Sequence, residues 1–187
     1  MRHPPACLRN PISRPALDGH EEQPANLDSI QEGLKHAMRS YPQGVTVVTT
    51  QAPDGPEGIT VSSFISVSLS PPLVLVSIAK DARFQEHFTG AKAFAINFLA
   101  HDQRSISERF AGFTGALDRF DGVRHAPGVT GSPMIEGACA ALECKAWRVY
   151  DGGDHSLIVG EVVRAAVLSK KKPLVYHDRG YSSTGAA

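Results

Sequence analysis

The stretch that decides the fold runs from Gly58 to Val76 and reads GITVSSFISVSLSPPLVLV. A Pro-Pro pair separates two β-rich runs, and the first run carries hydroxyl side chains of one parity at Thr60, Ser62, Ser66 and Ser68. Alternate residues of a strand share a face, and a buried hydroxyl is unfavourable unless it finds a hydrogen-bond partner. We therefore expect these hydroxyls to meet a ligand with polar edges and a phosphate. The alternative is an exposed edge strand.

The chain around this stretch reads mainly as β-strands. A helix is expected from Leu27 to Pro42, and short helices over 82–89 and 102–110. Strands are expected at 44–50, 58–68, 73–79 and 93–99, with a hairpin of 138–150 and 155–168 and a last short strand at 174–177. About six strands without βαβ alternation predict an antiparallel barrel, in which Gly160 marks a bend or bulge.

The two ends of the chain differ in composition. Residues 1–26 are rich in proline and polar groups, which predicts a disordered extension, and residues 27–187 form one domain. Prolines also interrupt every apolar run near the N-terminus, and no run is long enough to cross a membrane. We expect a cytoplasmic protein.

Charge and cysteine content exclude several classes of function. Nineteen basic and nineteen acidic residues balance, so nothing indicates binding to nucleic acid or to a membrane. Cys7, Cys139 and Cys144 are too few and too irregularly spaced for a disulfide framework, and the histidines do not fall at metal-ligand spacing, so no metal site is expected.

Catalytic motifs are also missing. The chain has no G-x-G-x-x-G after a strand, no P-loop, no G-x-S-x-G and no H-E-x-x-H. These absences argue against a hydrolase or a metalloenzyme. A redox activity would need a borrowed cofactor, because side chains alone do not transfer hydride.

Four further positions are candidates for a site, and each has an ordinary alternative. Arg83 pairs with a phosphate or lies in a solvated loop. His155, next to a glycine turn, stands at the rim of a site or is a surface histidine. Asn97 contacts a ligand or fixes the backbone inside an apolar strand. Tyr181 covers a cavity, as C-terminal aromatic residues often do.

Six runs in this order resemble the flavin reductase-like family, the small reductase components of two-component flavin-dependent monooxygenases. They are GVTVVTT at 44–50, GITVSSFISVS at 58–68, PPLV at 71–74, FAINFL at 94–99, ERFA at 108–111 and GDH at 153–155. The likeness implies a mainly β fold, an antiparallel six-stranded split β-barrel of the FMN-binding type. It also implies a homodimer, and a reaction in which NADH or NADPH reduces FMN or FAD by hydride transfer to N5. The reduced flavin then passes to a separate monooxygenase.

The resemblance also implies which residues form the site. His155, with Asp154 beside it, would lie at the nicotinamide position, with Tyr181 as a further candidate there. The residues near the flavin would be Thr46, Val47, Thr60, Val61, Ser62, Ser63, Phe64, Ser66, Arg83, Phe84, Asn97 and Tyr181. The chain departs from the family at Ala82 and Phe84, where hydroxyl residues are common.

Two rival functions stay open at this point. Split barrels also bind flavin or haem as modules without reductase turnover, and some relatives oxidise or reduce a bound substrate themselves. Consumption of NADH with added flavin separates these possibilities. NADH is favoured over NADPH, because no arginine cluster marks a site for a 2′-phosphate.

Overall fold

The computed structural model describes residues 27–185. The extension predicted for residues 1–26 lies outside the described residues, as does Cys7. A first unit of the chain ends at His36 and holds most of helix α1 (Leu27–Arg39), and the second unit begins at Ala37. Within residues 27–185, no helix combines the length and the apolar character needed to cross a membrane.

The second unit consists mainly of strands, with two short helices. In chain order its elements are β1 (Gln43–Gly44), β2 (Thr46–Ala52), β3 (Gly55–Val61), β4 (Ile65–Leu69), β5 (Pro72–Ala79), α2 (Gln85–Thr89), β6 (Ala93–Phe98), α3 (Arg104–Phe110), β7 (His125–Pro127), β8 (Pro133–Ile135), β9 (Ala140–Gly152), β10 (His155–Val167), β11 (Leu174–His177) and β12 (Gly180–Ser183).

The main sheet has seven antiparallel strands in the order β3-β2-β6-β9-β10-β5-β4. Its two edge strands, β3 and β4, follow each other in the chain and are joined only by residues 62–64. The four Cα steps from Val61 to Ile65 reach at most about 14 Å. The sheet must therefore curl until its edges nearly meet, which produces a barrel with one unpaired seam. The predicted fold class, an antiparallel split barrel, is confirmed, with a seventh strand.

One strand predicted from sequence is wrong. Residues 58–68 do not form a continuous strand, because β3 ends at Val61 and β4 begins at Ile65. The chain leaves one edge of the sheet and enters the other between these residues. Thr60 and Ser66 therefore lie on different strands, and the single hydroxyl face expected from their parity does not exist.

The barrel interior is packed with aliphatic and aromatic side chains. Val76 and Ile78 of β5 point inward against Phe94 and Ile158, while the residues between them on β5 are only half-buried. Burial raises the pKa of the Cys144 thiol, which lies in the same core, to about 12. This thiol is neutral at physiological pH and serves as an apolar core group, as the sequence indicated.

Gly160 interrupts the pairing of β9 and β10. The register between the two strands shifts between Val159 and Gly160, as expected for a bulge. A Cβ at position 160 would meet the ring of Phe94 and would lie 2.8 Å from Cβ of Cys144. The predicted bend at Gly160 is confirmed, and close packing against the core is what requires glycine there.

A buried amide fixes the hairpin of β7 and β8 to the main sheet. The side-chain nitrogen of Asn97 donates to the carbonyl of Val47 and to Oγ1 of Thr49, each at 3.2 Å. Its side-chain oxygen accepts from the backbone N–H of Ile135 at 2.8 Å. Asn97 is fully buried. The sequence left two roles open for Asn97, contact with a ligand or fixing of the backbone, and the structure supports the second.

Candidate functional site

A serine beside the seam extends the pairing of β4 with β5. The hydroxyl of Ser63 donates to the carbonyl of Ser77 at 2.8 Å and accepts from the backbone N–H of Ser77 at 3.0 Å. This reciprocal pair resembles a rung of a strand ladder, but one partner is a side chain. It anchors the connection between β3 and β4 to the edge of β5 that pairs with β4.

A cavity of about 520 Å³ lies beside this bridge, and we call it the large cavity. Leu75 and Ser77 alternate with the core residues of β5, so the cavity opens on the outer face of β5. It extends past the end of that strand to Phe98, which packs against the core. Its lining residues are Tyr41, Pro42, Gln43, Gly44, Thr46, Ser62, Ser63, Phe64, Ile65, Leu75, Ser77, Phe98 and Leu157.

The walls of the large cavity are apolar and its edges are polar, and no lining residue carries a formal charge. Leu75 and Leu157 form an aliphatic surface. The rings of Phe64 and Phe98 meet edge to face with centroids 4.9 Å apart. The volume falls within the usual range for small-molecule sites. The composition suits a flat, neutral ring system with hydrogen-bonding edges, and the isoalloxazine of a flavin fits this description.

His155 continues the outer face beyond the large cavity. It lies two residues before Leu157 on β10 and opposite Ala79, while Leu157 lies opposite Ser77. Because alternate strand residues point the same way, His155 stands one residue pair past the lining of the cavity. Its Nδ1 lies 2.6 Å from Oδ1 of Asp154. The hydrogen bond to His155 lowers the pKa of Asp154, so an ionised carboxylate orients the imidazole.

A group of basic side chains follows the same end of β5, in the loop after Ala79. The guanidinium of Arg83 stacks on the ring of Phe84 at 4.4 Å from its centroid, and the Phe84 ring stacks in turn on His87. Burial raises the pKa of Glu57, and three nearby basic side chains oppose that rise. These three residues, Arg83, His87 and Arg119, are called the basic cluster below.

The basic cluster contains two buried nitrogens that lack a partner among residues 27–185. They are Nδ1 of His87 and Nε of Arg119. Arg119 otherwise donates to the carbonyls of Gly58 and Phe110, at 3.1 and 2.9 Å. A buried guanidinium nitrogen without an acceptor, beside the second guanidinium of Arg83, favours an anion.

A second, smaller cavity of about 200 Å³ shares Ser62 with the large cavity, and we call it the tyrosine pocket. The hydroxyls of Tyr181 and Ser107 lie 2.9 Å apart, and Thr60 donates to the carbonyl of Ser107 at 2.8 Å. Its lining residues are Val45, Thr60, Val61, Ser62, Ser107, Ala111, Phe113, Tyr176 and Tyr181.

The structure brings together most of the residues expected at the site, but in several places rather than one. Thr46, Ser62, Ser63 and Phe64 line the large cavity. Ser62 also lines the tyrosine pocket, with Thr60, Val61 and Tyr181. Arg83 and Phe84 belong to the loop before α2, and Asp154 and His155 to the hairpin of β9 and β10.

Three predicted contact residues do not reach either cavity. Val47 and Asn97 are fully buried within the sheet, and Ser66 is exposed on β4 without lining a cavity. We therefore leave these three residues out of the proposed site. The expectation that Tyr181 lies with His155 at the nicotinamide position also finds no support, because Tyr181 lines the tyrosine pocket and His155 does not.

Sequence reasoning missed several lining residues. Ser77 had a detectable signal, since it is the one polar side chain in the apolar run 73–79. Ser107 had none, because only the packing of α3 against β3 brings it to the tyrosine pocket. Leu75 and Leu157 read as ordinary core residues.

A family model described as "Flavin reductase like domain" matches residues 38–185. The chain belongs to the flavin reductase-like family. This confirms the resemblance seen in the sequence runs. The match covers the whole sheet and both cavities.

Three relatives illustrate the family. An FMN reductase (NADH), SmoA, of Agrobacterium fabrum is 46% identical over 133 residues, which are 71% of this chain and 75% of the relative. The reductase component of 4-hydroxyphenylacetate 3-monooxygenase from Thermus thermophilus is 34% identical over 152 residues, covering 81% of this chain and 95% of the relative. The structure of the NADH:FAD oxidoreductase SgcE6 of Streptomyces globisporus with NAD and FAD fragments is similar with a TM-score of 0.77, at 36% identity, covering 83% of this chain and 93% of that one.

The Ser63 bridge yields a test of the seam. In Ser63→Ala the backbone N–H of Ser77 loses its acceptor, and we expect the free energy of unfolding to fall by about 1 kcal/mol. Flavin affinity should fall as well, because the wall of the large cavity loses its anchor. Urea denaturation and flavin titration measure the two effects. Ser182→Ala, an exposed serine on β12, is the matched control. An unchanged stability in Ser63→Ala would contradict the role of the bridge.

Proposed function

We propose that this protein is an NADH-dependent flavin reductase that reduces FMN or FAD and supplies the reduced flavin to a separate monooxygenase. The observation that carries the proposal is the uncharged large cavity on the outer face of the sheet, with a histidine at one end of the same face. NADH is favoured by the names of the relatives, two of which specify NADH. A cytoplasmic location, where nicotinamide nucleotides are available, fits this activity.

Apolar and hydroxyl side chains of the large cavity would contact different parts of the flavin. In the large cavity, Leu75, Leu157 and Phe64 would contact the faces of the isoalloxazine, while Thr46 and Ser62 would meet its polar edge. When bound, the flavin supplies the redox chemistry, since it accepts hydride from the reduced nicotinamide.

The phosphate end of the flavin would lie at the basic cluster. β5 carries Leu75 and Ser77 into the large cavity and then continues into the loop that holds Arg83. The planar guanidinium of Arg83 suits a phosphate, and its stacking on Phe84 fixes its orientation. This aromatic support stands where many relatives would place a hydroxyl.

His155 would position the nicotinamide. Its imidazole is oriented by the ionised Asp154 and extends the outer face past Leu157. A donor placed there can hold the carboxamide of the nicotinamide so that its ring stacks over the large cavity. Such positioning brings reacting groups to the distance that transfer requires without any side chain taking part in bond breaking.

The outer face that carries the large cavity is incompletely covered in a single chain, and we propose that a second copy covers it. Ile65 at the cavity wall is 56% exposed, and Tyr150, which pairs with Leu157 across the hairpin, is 50% exposed. Val67 and Trp147 nearby on the same strands are also exposed. Apolar groups gathered in this way mark an interaction surface. A homodimer is also what the family resemblance implies.

An activity assay after dialysis tests the proposed function. Hydroxyls, one guanidinium and apolar walls should hold flavin only moderately, so the purified protein should lose its yellow colour on extensive dialysis. The dialysed protein should then oxidise NADH rapidly once FMN or FAD is added, with NADPH as the comparison. Spectral binding of flavin without oxidation of NADH would contradict the proposal and indicate a binding module. Flavin that survives dialysis would indicate a prosthetic group.

Replacement of His155 tests the positioning role. We expect His155→Ala to raise KM for NADH about tenfold, because a hydrogen bond to the nicotinamide is lost, while flavin affinity and kcat change little. Steady-state kinetics and flavin titration measure these quantities. His101→Ala, at an exposed histidine after β6, is the matched control. An unchanged KM for NADH would count against His155.

A charge on the exposed face tests the dimer. Tyr150→Glu should convert a dimer into a monomer, because an ionised carboxylate would have to be buried in the interface. Light scattering after size-exclusion chromatography gives the mass of each species. Val129→Glu, which changes an exposed apolar residue in the loop before β8, should leave the dimer intact. A monomeric parent protein would refute the interface.

A further inference from the structure

The function proposed above assigns no ligand to the tyrosine pocket. It is too small for a second flavin ring system beside the large cavity, which has more than twice its volume. Its walls are nevertheless organised, since Tyr176 and Tyr181 meet edge to face with centroids 5.2 Å apart and the Tyr181 hydroxyl is held by Ser107. An aromatic wall fixed by a hydrogen bond is suited to stacking against a planar group.

The chemistry of the pocket excludes a charged occupant. No lining residue of the tyrosine pocket carries a formal charge, and the polar groups that face it are hydroxyls. A phosphate there would lack a cation inside the pocket. A neutral planar ring with donors and acceptors on its edge matches both the aromatic wall and the hydroxyls of Thr60, Ser107 and Tyr181.

The position of the tyrosine pocket also limits which planar ring can occupy it. Ser62 lines both the tyrosine pocket and the large cavity, so the two cavities are adjacent. A single molecule that enters both must carry two planar rings on a flexible connection. FMN has one such ring system, whereas FAD and NADH each have two. In either dinucleotide the redox ring belongs to the large cavity or to its His155 end, which leaves the adenine.

We infer that the tyrosine pocket binds the adenine ring of a dinucleotide, with Tyr181 as the stacking wall. This inference rests on the proposed function for the identity of the second ring. The guanidinium carbon of Arg104 lies 5.2 Å from the centroid of the Tyr181 ring, a cation–π contact that holds the ring in place. Phe113 stands at the mouth of the pocket, 76% exposed, and would lose that exposure against a bound base.

Mononucleotides distinguish the two sources of adenine. FMN is FAD without its adenosine phosphate, and reduced nicotinamide mononucleotide is NADH without the same group. Isothermal titration calorimetry with the purified protein, whatever its oligomeric state, gives the affinity for each compound. The two pairs are FAD with FMN, and NADH with reduced nicotinamide mononucleotide. The nucleotide 5′-AMP, whose phosphate would stay outside the pocket, tests whether the pocket accepts adenine without any redox ring.

The test uses Tyr181→Ala and Phe113→Ala. Loss of one stacking side chain should weaken the adenine-bearing member of a pair about tenfold and leave its mononucleotide unchanged. Selective loss with FAD assigns the pocket to the flavin nucleotide, and selective loss with NADH assigns it to the nicotinamide nucleotide. Tyr181→Phe keeps the ring and should retain most of the affinity. Leu117→Ala, an exposed apolar residue in the loop of Phe113, is the matched control.

Equal losses for both members of each pair, or no loss in either variant, would overturn the inference. Phe113→Ala keeps the test decisive if Tyr181→Ala destabilises β12, because Phe113 lies on an exposed loop. The proposed function is judged separately, by oxidation of NADH with FMN in the parent protein. That activity would persist if the adenine assignment alone were wrong, and 5′-AMP binding would persist if the reductase assignment alone were wrong.

Discussion

The whole arrangement depends on a connection of three residues. Residues 62–64 join the two edge strands of a seven-stranded sheet, so the sheet has to curl until the adjoining ends of β3 and β4 are within about 14 Å of each other. The edges still do not pair as a ladder. The hydroxyl of Ser63 instead fixes the connection to β5, the neighbour of β4, by bonding both backbone groups of Ser77. Both cavities lie against this seam and share Ser62.

An open seam of this kind suits a ligand that binds transiently and is then released. Closing the barrel would satisfy the edges with strand pairing and leave no cleft, whereas leaving the seam open exposes backbone groups and small hydroxyls beside an apolar wall. The large cavity contributes no charge, and the basic cluster is confined to the loop before α2. Binding therefore relies on shape, modest hydrogen bonds and one charged end, which is compatible with delivery of the reduced flavin to another protein.

Much of this could be predicted from the sequence, because the patterns involved are local. Strand alternation, the turn before β3, the Pro-Pro pair and the bulge at Gly160 all act within a few residues, and the hydroxyl-rich run does mark the site. The break at 62–64 could not be predicted, since it arises from the curvature of the complete sheet. For the same reason Asn97 looked like a possible ligand contact. Its partners, Thr49 and Ile135, are far away in the chain.

The two faces of β5 explain why one strand can serve both stability and function. Its inward residues Val76 and Ile78 belong to the core, so their burial holds the strand in place whatever happens outside. Its outward residues Leu75 and Ser77 are then free to line the large cavity, and the strand ends next to Arg83. Because the outer face is rigid but uncovered in one chain, a second copy can complete it without refolding either barrel. The site can thus be shared between subunits while each keeps its own core.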